Sequence, residues 1–270
     1  MNEEVRVEEQ KPSKVKKQNK RKDIIRKIIL AICIVVFIYS AYNLITILLD
    51  YKKIDDEFND LRNEYVENVD QKSQYMNINW QELLTRNSDV IGWVAIPDTN
   101  INYPILYGET NDTYIRTTID KEYSIAGSIF VDSNNHNPFV DLNTIMYGHN
   151  MKNDSMFSDL NEYLDSEYGK THPYVYVYLP DGTVSKYKIV SAHKIDAFNE
   201  IYNLSNSDTT SFYQNILKDN TMSVEFDQDG TTPMIMLSTC ATYDVDDPSR
   251  VVIHAQLEQR GIDPKTKKMQ

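Results

Sequence analysis

The sequence predicts a mainly β fold: a closed or Greek-key barrel with inserted helices, preceded by a transmembrane helix and an amphipathic helix. Two observations carry this. About nine short β-prone runs, punctuated by Pro, Asn, Asp and Gly, fill the chain from Trp93 to Leu257 with few helical interruptions. Ahead of them lies one long uncharged stretch, Ile28 to Leu49 (IILAICIVVFIYSAYNLITILL), with a densely basic flank.

That stretch has 22 residues. At about 1.5 Å per residue it spans roughly 33 Å, enough for a hydrocarbon core of about 30 Å. A cleaved signal peptide would carry a shorter apolar run of about 7–15 residues and a small-residue cleavage site. The flank Lys11–Lys27 holds nine Lys/Arg and one Asp. Such flanks stay cytoplasmic, so the N-terminus is expected inside and residues 50–270 outside, in a single pass. Residues 50–75 then place Ile54, Phe58, Leu61, Tyr65 and Val69 at helical spacing, which predicts an amphipathic stalk or docking helix. Trp80–Arg86 reads as a short helix.

Strands are expected at 93–96 (WVAI), 101–106 (INYPIL), 126–132 (AGSIFVD) and 144–148 (TIMYG). A hairpin follows: YVYVYL (174–179), the turn Pro180-Asp181-Gly182, and TVSKYKIVSAHKI (183–195). Residues 208–218 interrupt as a helix, with Asp208 as N-cap and Phe212/Ile216 and Tyr213/Leu217 as neighbours one turn apart. Strands resume at 222–226 (MSVEF), 233–239 (PMIMLST) and 250–257 (RVVIHAQL), before a polar tail. The expected division is a basic cytoplasmic tail (1–27), an anchor (28–49), a helical stalk (50–79), one barrel domain (80–258) and a polar tail (259–270).

Composition excludes several classes. The net charge of -12 argues against nucleic-acid binding, and two cysteines in 270 residues exclude a disulfide scaffold. Cys33 lies in the anchor as an apolar filler, which leaves Cys240 as the single exported thiol. Asp227-Gln228-Asp229-Gly230 has part of a calcium-loop pattern but lacks its terminal Glu, so a turn is the better reading. No cofactor or metal is expected.

Three residues are placed for chemistry. Cys240 ends the apolar run PMIMLSTC and opens a polar loop, a rigid platform open on one side. A free thiol has a pKa of about 8.5, so a nucleophilic cysteine needs a basic or cationic neighbour. Arg250 opens the next strand across the loop, where it could donate to a developing oxyanion or simply cap Asp244, Asp246 and Asp247. His149, in MYGHNM, also follows a strand. Its rivals are His136 and His172, and the mid-strand His193 and His254. Spacing alone does not choose among these readings.

The wording of the sequence does. The segments IGWVAIPDTNINYPILYG (91–108), AGSIFVDSNN (126–135), MYGHNMKNDSMFSDL (146–160), LSTCATY (237–243) and DPSRVVIHAQL (247–257) resemble the sortases, membrane-anchored cysteine transpeptidases of Gram-positive bacteria. The Gly-His-Asn-Met run, the N-terminal anchor and the late helix at 208–218 resemble class B in particular. The resemblance covers about Trp80 to Leu257. Met236 departs from the pattern, in which Thr often precedes Leu-Ser-Thr-Cys.

The resemblance implies a sortase-like closed barrel with Cys240 as nucleophile, His149 as general acid/base and Arg250 as oxyanion or substrate-positioning donor. It places Ser238 and, on a looser match, Asn111 near the peptide. The implied partners are secreted proteins with a C-terminal sorting signal of the Asn-Pro-x-Thr-x kind and a peptidoglycan amine as acceptor. Two alternatives stand beside this reading. Another exported Cys-His cell-wall peptidase would start a helix with its cysteine, and a noncatalytic surface-binding β-domain would leave Cys240 expendable.

Overall fold

The computed structural model describes residues 14–68, 75–204, 208–244 and 246–266. The chain falls into two compact units that divide after Lys53. Helix α1 (Lys14–Tyr65) supplies the whole described part of the first. Its side chains at Ile28, Val35, Phe37, Leu44 and Leu49 are exposed apolar groups, and the helix is long and apolar enough to cross a membrane.

The second unit opens with the last turns of α1. Here the apolar stripe read from the sequence is buried at Ile54, Phe58, Leu61 and Tyr65. Phe58 meets Tyr103 edge-on at 4.9 Å between ring centres, and Arg62 lies over the same ring. Burying each such side chain contributes about 1.5–3 kcal/mol, which holds this stretch on the barrel as a docked helix. The helix ends at Tyr65, short of the expected 75. Strand β1 (Val66–Asn68) follows and pairs antiparallel with β2 (Met76–Ile78); Val69 lies outside the described residues.

After α2 (Trp80–Arg86) come the barrel strands β3 (Val90–Ala95), β4 (Asn102–Leu106), β5 (Ile129–Val131) and β6 (Asn143–Tyr147). Helix α3 (Ser166–Thr171) precedes the hairpin of β7 (Tyr174–Tyr178) and β8 (Val184–Asp196). Helix α4 (Thr209–Leu217) is inserted before β9 (Met234–Cys240) and β10 (Ser249–Ile262). Around the barrel the order is β3-β4-β5-β6-β9-β10-β8-β7, closing onto β3. Only β4/β5 and β6/β9 run parallel, and parallel neighbours need long crossovers. The crossover from β6 to β9 carries α3, the β7–β8 hairpin and α4.

Local chemistry sets the boundaries. Gly182 turns the β7–β8 hairpin at φ 83°, and Asp208 caps α4 by accepting from the Thr210 and Ser211 amides. The expected turn at Asp227–Gly230 is present, its Asp229 carboxylate accepting from the Thr231 and Thr232 amides. Two strand expectations change. MSVEF forms no strand: the Met222 amide at its start bonds the Asn220 side chain and the Asp227 amide just after it bonds Gln256, so these two donors go to side chains rather than to a ladder. Strand β10 runs to Ile262, beyond the expected start of the polar tail, because Ile262 is buried and pairs with Val184.

Period-two alternation gives β9 and β10 two different faces. One face of β9 carries Met234, Met236, Ser238 and Cys240, and the matching face of β10 carries Arg250, Val252 and His254. Along the first half of these rows Met234, Met236 and Val252 form a core cluster with Tyr213 and Ile216 of α4 and with Ile201. The inserted segment covers that half. Beyond it Ser238 is buried beside Tyr202, and Cys240 and Arg250 at the end of the rows are part-exposed.

Candidate active site

Strand pairing gathers the three chemical residues. In the parallel β6/β9 pair Tyr147 stands opposite Ser238, so both chains leave the barrel at the same end. Cys240 is two residues beyond Ser238 and His149 two beyond Tyr147. Across the antiparallel β9/β10 pair Cys240 stands directly opposite Arg250. Such Cα partners are about 4.5–5.5 Å apart, which makes thiol and guanidinium neighbours on one face. Cys240, His149, Arg250, Ser238 and Asn111 all line one cavity of about 330 Å³, with Tyr147, Tyr202, Ala197 and Ile115 among its other wall residues. That is the scale of a small-ligand or short-peptide pocket. Three larger open clefts among the described residues contain neither cysteine nor histidine.

Each residue is held by its own contacts. The Asn150 side chain donates to the Cys240 carbonyl at 2.9 Å, tying the end of β9 to the His149 loop. The His149 carbonyl accepts from the Phe157 amide at 3.0 Å. Gly148 leaves no room for a side chain, since a Cβ would fall on Ile129 and on the Phe157 ring. His149 Nε2 lies 2.7 Å from the Ile115 carbonyl. A carbonyl only accepts, so Nε2 carries the hydrogen in the neutral ring, leaving Nδ1 to exchange a proton. Burial holds the His149 pKa below its ordinary 6.5; the Ile115 carbonyl works against this, and the nearby Arg116 adds to it. Burial thus favours the neutral form of the imidazole.

Arg250 Nη1 donates to the Ser249 carbonyl at 3.1 Å, and among the described residues the guanidinium has no carboxylate partner. Asp247 instead accepts from the Ser249 amide and from Thr242, so the acidic loop closes on itself. Ser238 bonds the Tyr202 hydroxyl at 2.7 Å, and the Asn111 amide is held by Asp132 and the Ser133 amide. Of the rival histidines, His136 is exposed, His172 stacks on Tyr168, and His193 and His254 are fully buried away from the cavity.

A Sortase domain model matches residues 94–258. Sortase B of Listeria monocytogenes is 36% identical over 182 residues, which cover 66% of this chain and 73% of the relative. The chain belongs to the sortase family, in class B. Among solved structures, sortase B from B. anthracis in complex with AAEK1 superposes with a TM-score of 0.65 at 28% identity, over 78% of this chain and 98% of that one. A Staphylococcus aureus sortase B–substrate complex gives 0.62 at 25% identity, over 67% and 84%. This sortase is thus a cysteine transpeptidase of the cell-wall-anchoring type, built on a closed eight-stranded barrel.

Sequence reasoning did not single out Tyr202, Asn150 or Asp132. Asn150 adjoins His149 and could have been flagged as its neighbour. Tyr202 reaches the cavity from a 3-10 turn (Glu200–Tyr202) 36 residues before Ser238, and no local pattern marks it.

Proposed function

We propose that the chain cleaves a sorting signal of the Asn-Pro-x-Thr-x kind at the Thr carbonyl and passes the acyl group to a peptidoglycan amine. The observation that supports this most is the direct cross-strand pairing of Cys240 with Arg250, with His149 at the mouth of the adjacent parallel strand. In the first half-reaction, neutral His149 takes the thiol proton through Nδ1 while the Cys240 sulfur attacks the Thr carbonyl carbon. Arg250 donates to the resulting oxyanion. The tetrahedral species collapses to a thioester as the peptide C–N bond breaks, and His149 returns its proton to the leaving amine. In the second half the acceptor amine attacks, loses its proton to His149 and expels the Cys240 thiolate, which then recovers that proton. Ser238 and Asn111, on the cavity wall, contact the peptide.

The same proposal places the basic tail (1–27) inside, the anchor (28–49) in the membrane and the stalk, barrel (80–258) and polar tail outside. Enzyme, secreted substrate and lipid-linked acceptor then meet at one surface, which raises their effective concentration. Mass spectrometry of products from an Asn-Pro-x-Thr-x peptide library and candidate amines tests the reaction. A peptide–amine adduct joined at Thr is expected; cleavage at another residue, or no thioester on Cys240, overturns it.

A further inference from the structure

Asp132, one residue beyond β5, is a buried carboxylate with no cationic partner among the described residues. Burying such a charge is costly unless hydrogen bonds replace its water. Four donors do so. The Asn134 amide and side chain serve Oδ1 at 2.8 and 2.9 Å. The Tyr147 hydroxyl and Asn111 Nδ2 serve Oδ2 at 2.7 and 3.1 Å. The first two close a local turn. The other two are side chains of the cavity wall.

The Asn111 amide has no rotational choice here. Its Oδ1 accepts from the Ser133 amide at 2.8 Å, so its Nδ2 must face Asp132, with one N–H left over. Tyr147 is committed as well. Burial and the Asp132 charge raise its phenol pKa, so it remains a donor. Its ring stacks on Tyr202 at 6.3 Å and 17°, and Tyr202 bonds Ser238. One carboxylate thus fixes two separate stretches of the wall.

We infer that Asp132 is a positioning residue for the peptide: it holds the Asn111 amide with its free N–H toward the substrate backbone and braces Tyr147 beside it. The inference rests on the reading of Asn111 as a substrate contact. A merely structural bracket would change stability but not the KM for the peptide.

The test uses the full chain in detergent with an Asn-Pro-x-Thr-x peptide and an amine acceptor. Asn111→Ala, expected to raise KM, checks the underlying reading; if KM does not move, that reading fails and the inference with it. Asp132→Asn puts an amide N–H against another and should raise KM about tenfold with kcat within about twofold. In the Asn111→Ala background the same change should add less than about twofold. If Asn111→Ala raises KM while Asp132→Asn leaves it unchanged, or if the two effects are additive, the inference alone is overturned. Should Asp132→Asn fail to fold, Asn111→Asp decides. It sets two carboxylates face to face, so one binds a proton well above the usual carboxylate range and KM becomes pH-dependent there. A KM as flat with pH as that of Asn111→Ala would overturn the inference.

Discussion

Cys33 and Cys240 are both free, and only their surroundings separate them. One is exposed on an apolar helix; the other ends a strand opposite an arginine with no carboxylate partner, among the described residues. Cys240→Ala should therefore remove both cleavage and the covalent intermediate. Arg250→Lys is the sharper test, because it keeps the charge but loses the planar fork of donors. Loss of an oxyanion donor costs about a hundredfold or more in rate. Near-normal turnover in Arg250→Lys, with an unchanged circular dichroism spectrum, would mean that only charge matters there. His149 gives a pH prediction. Its folded pKa is depressed, so the base form persists below 6.5 and the acid limb of kcat/KM should lie below that value. An acid limb at or above 6.5 would contradict the neutral resting ring. That Cys240, His149 and Arg250 meet at one cavity was legible because each sits inside a contiguous run of recognisable residues. Asp132 and Tyr202 were not, since their meaning lies in contacts 15 and 36 residues away along the chain.

At the scale of elements, alternation and turn residues foretold the eight barrel strands, since each strand's pattern is written in its own residues. Two of the misreadings have separate causes. MSVEF has strand composition, yet its Met222 amide is taken by the side chain of Asn220, two residues back, and residues 66–68 leave the helix to pair with Met76–Ile78. A local side-chain acceptor overrode strand propensity in the first, and a strand partner overrode helix propensity in the second. The β6–His149 junction shows the opposite case, in which one position is fixed by sterics. Gly148 does not have the positive φ that glycine favours; the constraint is the Ile129 and Phe157 side chains. Gly148→Ala should thus overpack the site at a cost of about 1–3 kcal/mol. In a unit of this size that lowers Tm by about 2–10 °C. Because His149 is the next residue, kcat/KM measured well below the new Tm should fall as well. An alanine accepted with unchanged Tm and activity would show that the Phe157 ring moves aside freely.

At the scale of the molecule, the basic excess of residues 1–49 is the sequence feature on which the proposed cytoplasmic N-terminus rests. The core under α4 was hidden from such reading, because it buries polar side chains that a sequence pattern assigns no partner. His193 and His254 stand in it with ring centres 5.8 Å apart. His193 Nδ1 meets Ser191 at 3.2 Å, but its Nε2 and both nitrogens of His254 have no hydrogen-bond partner among the described residues. Burial lowers the His193 pKa from 6.5 to about 4, against the pull of Asp219, and holds that of His254 well below its ordinary value, with His193 adding to the effect. Both folded pKa values lie below the unfolded one, so the folded state binds fewer protons. The stability concerned is complete above 6.5 and is lost as pH falls from there toward 4. For His193 alone this amounts to about 3 kcal/mol, a large share of a typical 5–15 kcal/mol. The urea midpoint of the full chain in detergent should thus fall between pH 7 and pH 4, with α4 and the Tyr202 turn above the pair loosening together. His193→Gln keeps a polar side chain but removes one titration, and the slope of stability against pH should drop by up to about 1.4 kcal/mol per pH unit. An unchanged slope in that variant would assign the acid sensitivity to surface carboxylates instead of to this pair.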